Sequence, residues 1–364
     1  MAKSHITRRA TNNNMDNTSR LVLGMMIGAA LASAGTIDYT CDPSVAVATC
    51  NYLNTVVAGN YSSTFSNASA SIYIQYGTTN LASTSSVTND VPYSAYLAAL
   101  TANPGSDALQ ASALAALNTY DAGPYGTGNV GITDSLAQAL GLGGVAIGGL
   151  TGVMADGSTC SFPSAGCYNA VVTVTNDSGT PLYYDNLGGP EPSDAYDFYG
   201  VVEHETDEVL GTASCITTTT TPLSDGCDYP NEPSVVDLFR YSGQGSLVLD
   251  SSLSTTPGAY FSYDGGTTNG ANGFIYNTLD NGDDYADFVS TCPGGPFSIQ
   301  DAEGCPGTDA GATILNDGGA EINLLNAVGY DLNRQVASSV PEPGTIALFG
   351  LGLAALAVYR RRRA

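Results

Sequence analysis

Asp197-Phe198-Tyr199-Gly200-Val201-Val202-Glu203-His204-Glu205-Thr206-Asp207-Glu208-Val209-Leu210-Gly211 is the stretch on which the reading of this chain turns. Apolar Phe198, Val201, Val202, Val209 and Leu210 recur at helical spacing, and Gly211 follows as a stop. The spacing predicts a helix capped by Ser193 or Asp194 and running through Val209. On it His204 and Glu208 stand at i and i+4, stacked on one face one turn apart. That spacing lets two side chains grip one metal ion, and Glu205 lies beside the same place to act as general base.

Outward from this segment, the charge is uneven. Between Gly35 and Ser339 the 364-residue chain carries 25 Asp and 7 Glu against Arg240 and Arg334 alone. Such a field repels phosphate backbones, which excludes nucleic acid as a partner, and it attracts cations such as Ca²⁺. No lysine lies there, which excludes Schiff-base chemistry and a P-loop. Of the two histidines, His5 precedes the first apolar run, so His204 is the only one in the body.

Both ends read as export signals. Leu21 to Leu31 is a short apolar run after basic residues, and Ala32-Ser33-Ala34 supplies a small-x-small cleavage site. Residues 1–34 are therefore expected to be a signal peptide, a retained anchor being the alternative. At the other end Pro341-Glu342-Pro343 leads into apolar Thr345 to Tyr359 and then Arg360 to Arg363, a marginal membrane helix with a positive stop. This order resembles the PEP-CTERM sorting signal, which implies an exosortase-type partner. The resemblance further implies membrane contact through the C-terminal segment before processing, and delivery to the cell surface or extracellular matrix. Eight cysteines in an exported chain read as disulfides, with neighbours paired as Cys41–Cys50, Cys160–Cys167, Cys215–Cys227 and Cys292–Cys305.

The body reads as α+β. Ser44 to Val57, Tyr93 to Leu100, Asp107 to Leu117 and Thr133 to Leu140 have helical patterns. Ala70 to Tyr76, Ala170 to Thr175, Ser246 to Leu249 and Tyr260 to Tyr263 read as strands. A seam at Gly188 to Ser193 divides residues 35–190, an N-terminal subdomain, from 191–335, which hold the ligand helix and a loop-rich C-terminal half; 336–364 form the sorting tail.

The helix segment, with Gly211 placed for a sharp exit, resembles the active-site helix of exported bacterial metalloproteases with metzincin-like zincin folds. Asp237 to Tyr241, Tyr260 to Gly266 and Val328 to Leu332 extend the likeness. It implies a mixed sheet, an active-site helix and a divalent metal, with Zn²⁺ expected first and Ca²⁺ or Mn²⁺ admitted by oxygen-rich ligation. This chain departs from the pattern twice: Glu208 replaces the second ligand His, and Ser214 stands at the third. Asp237 is the expected replacement, with Asp207 or Asp264 in reserve. The site is thus expected to consist of Glu205 as base and His204, Glu208 and Asp237 as ligands. Arg240 is read as pairing with buried carboxylates or clamping substrate. Asp280, Asp283, Asp284 and Asp287 form an acidic loop that could hold Ca²⁺, but they lack EF-hand spacing and a solvated turn is the favoured reading. Tyr241 or Tyr330 is a candidate for oxyanion stabilisation, core packing being the alternative that spacing does not decide.

The function expected is hydrolysis of protein or peptide substrates through a metal-bound water by an exported peptidase. A non-catalytic surface or matrix protein that keeps the zincin scaffold is the alternative, and a carbohydrate-binding module is disfavoured by the absence of tryptophan.

Overall fold

Alternating Ala70, Ile72 and Ile74 bury one face of a strand, and uninterrupted Ala170-Val171-Val172 buries both faces of the next one in the sheet. The computed structural model describes residues 35–102, 108–119, 128–146, 148–184, 192–216, 233–248, 258–268, 276, 284–290, 298–308 and 319–333.

The chain enters through β1 (Ile37–Cys41) and a helical run made of α1 (Val47–Tyr52), a π-helical turn (Leu53–Val57) and α2 (Ala58–Thr64). Strands β2 (Ala70–Gly77), β3 (Ala82–Ser86) and β4 (Thr88–Pro92) follow, then α3 (Tyr93–Ala102) and α4 (Ala108–Leu117). Next come β5 (Asn129–Thr133), α5 (Asp134–Ala139), a small antiparallel sheet of β6 (Thr151–Met154), β7 (Thr159–Ser161) and β8 (Cys167–Tyr168), and β9 (Ala170–Thr175). The main sheet has the order β1-β2-β9-β3. Its first three strands are parallel, with Ile37 beside Ala70 and Ile72 beside Ala170, while β3 is antiparallel with Thr84 beside Val172.

Two short strands, β10 (Leu182–Tyr183) and β11 (Tyr196–Asp197), pair in parallel just before α6 (Phe198–Asp207). That pairing moves the helix start. Ser193 and Asp194 lie outside it, and Asp197 is the cap, its Oδ1 accepting from the Tyr199 N–H at 2.9 Å. The helix continues as a π-helical turn (Glu208–Thr212) and leaves through Gly211 at φ +120°. A Cβ at Gly211 would meet Leu136 Cδ2 at 3.2 Å, so both the backbone angle and the contact with α5 call for glycine.

Helix α6 packs on β3 and β9. Phe198, Val202 and Leu210 share one core with Ile72, Val172 and Val174 from the sheet, and with Leu324, Leu325 and Val328 of the last helix. In chain order the final elements are β12 (Arg240–Gly243), β13 (Ser246–Leu247), β14 (Tyr260–Phe261) and α7 (Ala320–Val328). Residues on both sides of the expected seam therefore bury their apolar surface together, and the described residues cluster as one unit. The mixed α+β class expected from the pattern is the class found.

Cys41–Cys50 and Cys160–Cys167 are disulfides, as neighbour pairing predicts. The other two expected pairs each include a cysteine outside the described residues. The expected signal peptide, the seam residues Gly188 to Glu191 and the sorting tail also lie outside the described residues. Among the described residues no helix is long and apolar enough to cross a membrane.

Candidate metal centre

His204 and Glu208 meet as their spacing requires. His204 Nε2 lies 3.8 Å from Glu208 Oε1. The second carboxylate beside it belongs to Asp287, whose Oδ1 is 3.7 Å from the same nitrogen. Ligand-capable atoms of His204, Glu208 and Asp287 all lie within 4.8 Å of one another. His204 Nδ1 is 2.8 Å from the carbonyl oxygen of Ile299. A carbonyl only accepts, so Nδ1 carries the proton and Nε2 turns its lone pair to the two carboxylates. Burial opposes a charge on His204, but Glu208, Glu205 and the Ile299 carbonyl outweigh it and raise its pKa above the ordinary value. A proton on Nε2 would occupy the nitrogen that a cation would need.

Glu205 is buried beside this group. Thr84 on β3 donates its hydroxyl to Glu205 Oε2 at 2.5 Å and to the Glu205 carbonyl at 3.2 Å. Burial, then the negative charge of Glu208, raises the Glu205 carboxyl well above the usual carboxylate range, although His204 and the Thr84 hydroxyl pull the other way.

Asp237, expected as third ligand, stands outside the cluster. Its Oδ1 accepts from Ser214 Oγ at 2.5 Å, and its Oδ2 accepts from the N–H groups of Cys215 and Ser234 at 3.0 and 2.8 Å and from Ser234 Oγ at 3.0 Å. These bonds tie it to the turn at Val236–Phe239. The reserves also lie elsewhere. Asp207 accepts from the buried Tyr61 hydroxyl at 2.6 Å. Asp264 closes its own turn with Ser262 and Thr268. Ser214 sits a layer behind, its N–H donating to both oxygens of Asp284 at 3.0 Å.

The acidic turn departs from expectation too. Asp280 and Asp283 lie outside the described residues, but Asp284 and Asp287 are buried rather than solvated. Burial and the neighbouring charges of Asp287 and Glu208 raise the Asp284 carboxyl. Spacing did hold a trace of this site, since four acids crowd into eight positions, 280–287. Nothing in the spacing says which of them returns to His204. Arg240 lies where the charges of Asp237 and Asp284 act on it, as a cation among buried carboxylates. It is buried, donates through Nη1 to the Tyr285 carbonyl and lies 5.1 Å from the Tyr276 ring centroid. It thereby anchors the segment that carries Asp287. Tyr241 and Tyr330 are buried core residues, and burial, with the charges of Asp134 and Asp207, holds the Tyr330 hydroxyl in its neutral form.

No characterised protein and no solved structure matches the chain. The PEP-CTERM protein-sorting motif matches at residues 339–363, and with it the chain is an exported protein recognised by exosortase-type machinery and passed through the membrane to the cell surface.

Proposed function

We propose that this is an exported metal-dependent peptidase acting on proteins or peptides, of zincin-like architecture and with the extracellular matrix as one destination. The observation that carries the reading is the convergence of His204 Nε2, Glu208 and Asp287 beside Glu205. One imidazole nitrogen and two carboxylates suit Zn²⁺ with a position left open for substrate, and the oxygen-rich set also admits Mn²⁺ or Ca²⁺. The antiparallel last strand of the sheet, packed on the ligand helix, supports the zincin-like reading.

A divalent ion here would supply Lewis-acid polarisation of the scissile carbonyl and acidify water. The chain's own residues do the rest. Thr84 holds one oxygen of Glu205, which leaves the other to take a proton from water and return it to the departing amine. The Ile299 carbonyl fixes the His204 ring, and Arg240 secures the segment that presents Asp287. Two carboxylate ligands place more negative charge at the centre than a three-imidazole site does, so water is acidified less strongly.

Metal analysis of the purified protein alongside digestion of casein tests the reading. Bound divalent metal, with proteolysis that Glu205→Gln abolishes while the metal stays, is the expected result. A protein that holds no divalent ion and digests nothing would be a non-catalytic surface protein that keeps the fold.

A further inference from the structure

Gln300 is buried among the candidate ligands and belongs to none of the elements that carry them. Its Nε2 donates to Asp287 Oδ1 at 3.2 Å, and its Oε1 accepts from Thr212 Oγ1 at 3.1 Å. A carboxylate only accepts, so Asp287 dictates which way the amide faces, and the amide in turn makes Thr212 the donor. Asp287 Oδ1 is also the oxygen nearest His204 Nε2. The amide thus bonds the same oxygen that faces the imidazole. Thr212 ends the π-helical turn that Glu208 begins. Gln300 therefore bridges the end of the ligand helix to the residue that completes the triad.

Its backbone is held as firmly. The Gln300 N–H donates to Glu321 Oε1 at 2.8 Å and lies 3.2 Å from Ser298 Oγ, which itself donates to Glu321 Oε1 at 2.5 Å. The Gln300 carbonyl accepts from the Phe288 N–H at 2.7 Å, one residue past Asp287. Its neighbour Ile299 supplies the carbonyl that orients His204. Two of the three candidate ligands are thus oriented by consecutive residues, and a buried carboxylate in the first turn of α7 locks those residues in place.

We infer that Gln300 is the positioning residue of this metal centre, aiming Asp287 at the ion held by His204 and Glu208; the inference rests on the metal reading above. The test uses the full chain stripped of metal, titrated with Zn²⁺ alone by calorimetry and, separately, loaded with Co²⁺ for its visible spectrum. Gln300→Leu removes both side-chain bonds, and Gln300→Glu sets a carboxylate against Asp287. Each should weaken Zn²⁺ binding by about 10–100-fold and change the Co²⁺ bands, which report ligand number and geometry. Thr212→Val leaves the amide in place but removes the donor that holds it, and should give a smaller loss of the same kind. A merely structural role would lower the melting temperature of the metal-free protein and leave Zn²⁺ affinity and Co²⁺ spectrum unmoved. That result in Gln300→Leu, or in Thr212→Val should the leucine variant fail to fold, overturns the inference. Wild-type protein that takes up no Zn²⁺ removes the metal centre itself, which separates that failure from this one.

Discussion

The hydroxyl of Thr84 reaches Glu205 Oε2 across 2.5 Å and so joins the last strand of the main sheet to the helix that carries the candidate ligands. A short bond from a hydroxyl to a carboxylate is charge-assisted and directional. On the peptidase reading it would hold the carboxylate plane while the second oxygen handles a proton.

Thr84→Val keeps the shape and loses the bond. On the peptidase reading kcat should fall about tenfold with KM little changed, because the lost interaction orients a base rather than substrate. Thr84→Ser should restore most of the rate. Steady-state kinetics on a short peptide decides it; equal damage in the serine and valine variants would make Thr84 a packing residue only.

Asp287 and Asp237 should part company when each is changed to alanine. Asp287→Ala removes a candidate ligand and should cost the protein its divalent ion. Asp237→Ala should retain the ion in whatever protein folds but lose on the order of 3 kcal/mol of stability, since the N–H groups of Cys215 and Ser234 lose their acceptor. Metal content and urea denaturation, measured on both, separate a ligand from a turn-former. Metal loss in Asp237→Ala with retention in Asp287→Ala would reverse the assignment.

Asp134 opens α5 from a buried position, and burial pushes its carboxyl up to about 7 although Asn169 and the Ser135 N–H lower it. Below its ordinary value of 3.8 both folded and unfolded chains hold the proton, and no penalty arises. As pH rises from there toward about 7 the unfolded chain releases its proton first, so the native state loses stability through that window and the loss then levels off. The full effect is at most about 4 kcal/mol. Denaturation midpoints between the two limits should fall with pH, and Asp134→Asn should flatten the slope. An unchanged slope would place the pH response on other carboxylates.

Gly211→Ala should cost about 1–3 kcal/mol, because a left-handed backbone and a tight contact with Leu136 coincide at one position. The urea midpoint measures it. A midpoint equal to that of the wild type would mean that the exit from the helix relaxes without strain.

What was legible in the sequence is local. The α6 pattern needs only its own apolar residues, and the i, i+4 meeting of His204 and Glu208 follows from helix geometry. The strands at Ala70–Gly77 and Ala170–Thr175 were equally plain, because Ile, Tyr and Val fit a pleated surface. The cap was misplaced because β11 claims Tyr196 and Asp197 through a partner strand whose pairing no local rule announces. Strand β3, Ala-Ser-Thr-Ser-Ser, has no apolar alternation to betray it. Helix α7 repeats Ile322, Leu324, Leu325 and Val328 at helical spacing, but its nine residues sit in Gly- and Asp-rich surroundings that mask the period. Asp287 was hidden for a different reason. Its return to His204 depends on Gln300, Phe288 and Arg240, contacts made across long stretches of chain that carry no signal in spacing.

The composition of β3 has a consequence for the protein's life outside the cell. A strand that ends a sheet is where foreign chains add on and where aggregates begin. This one offers only small hydroxyl-bearing or methyl side chains, and Thr84 turns its hydroxyl inward to the helix. It lacks the large apolar surface that lets stacked copies zip dry against one another. An exported protein thereby makes one margin of its main sheet unattractive to stacking copies without placing a single charge on it.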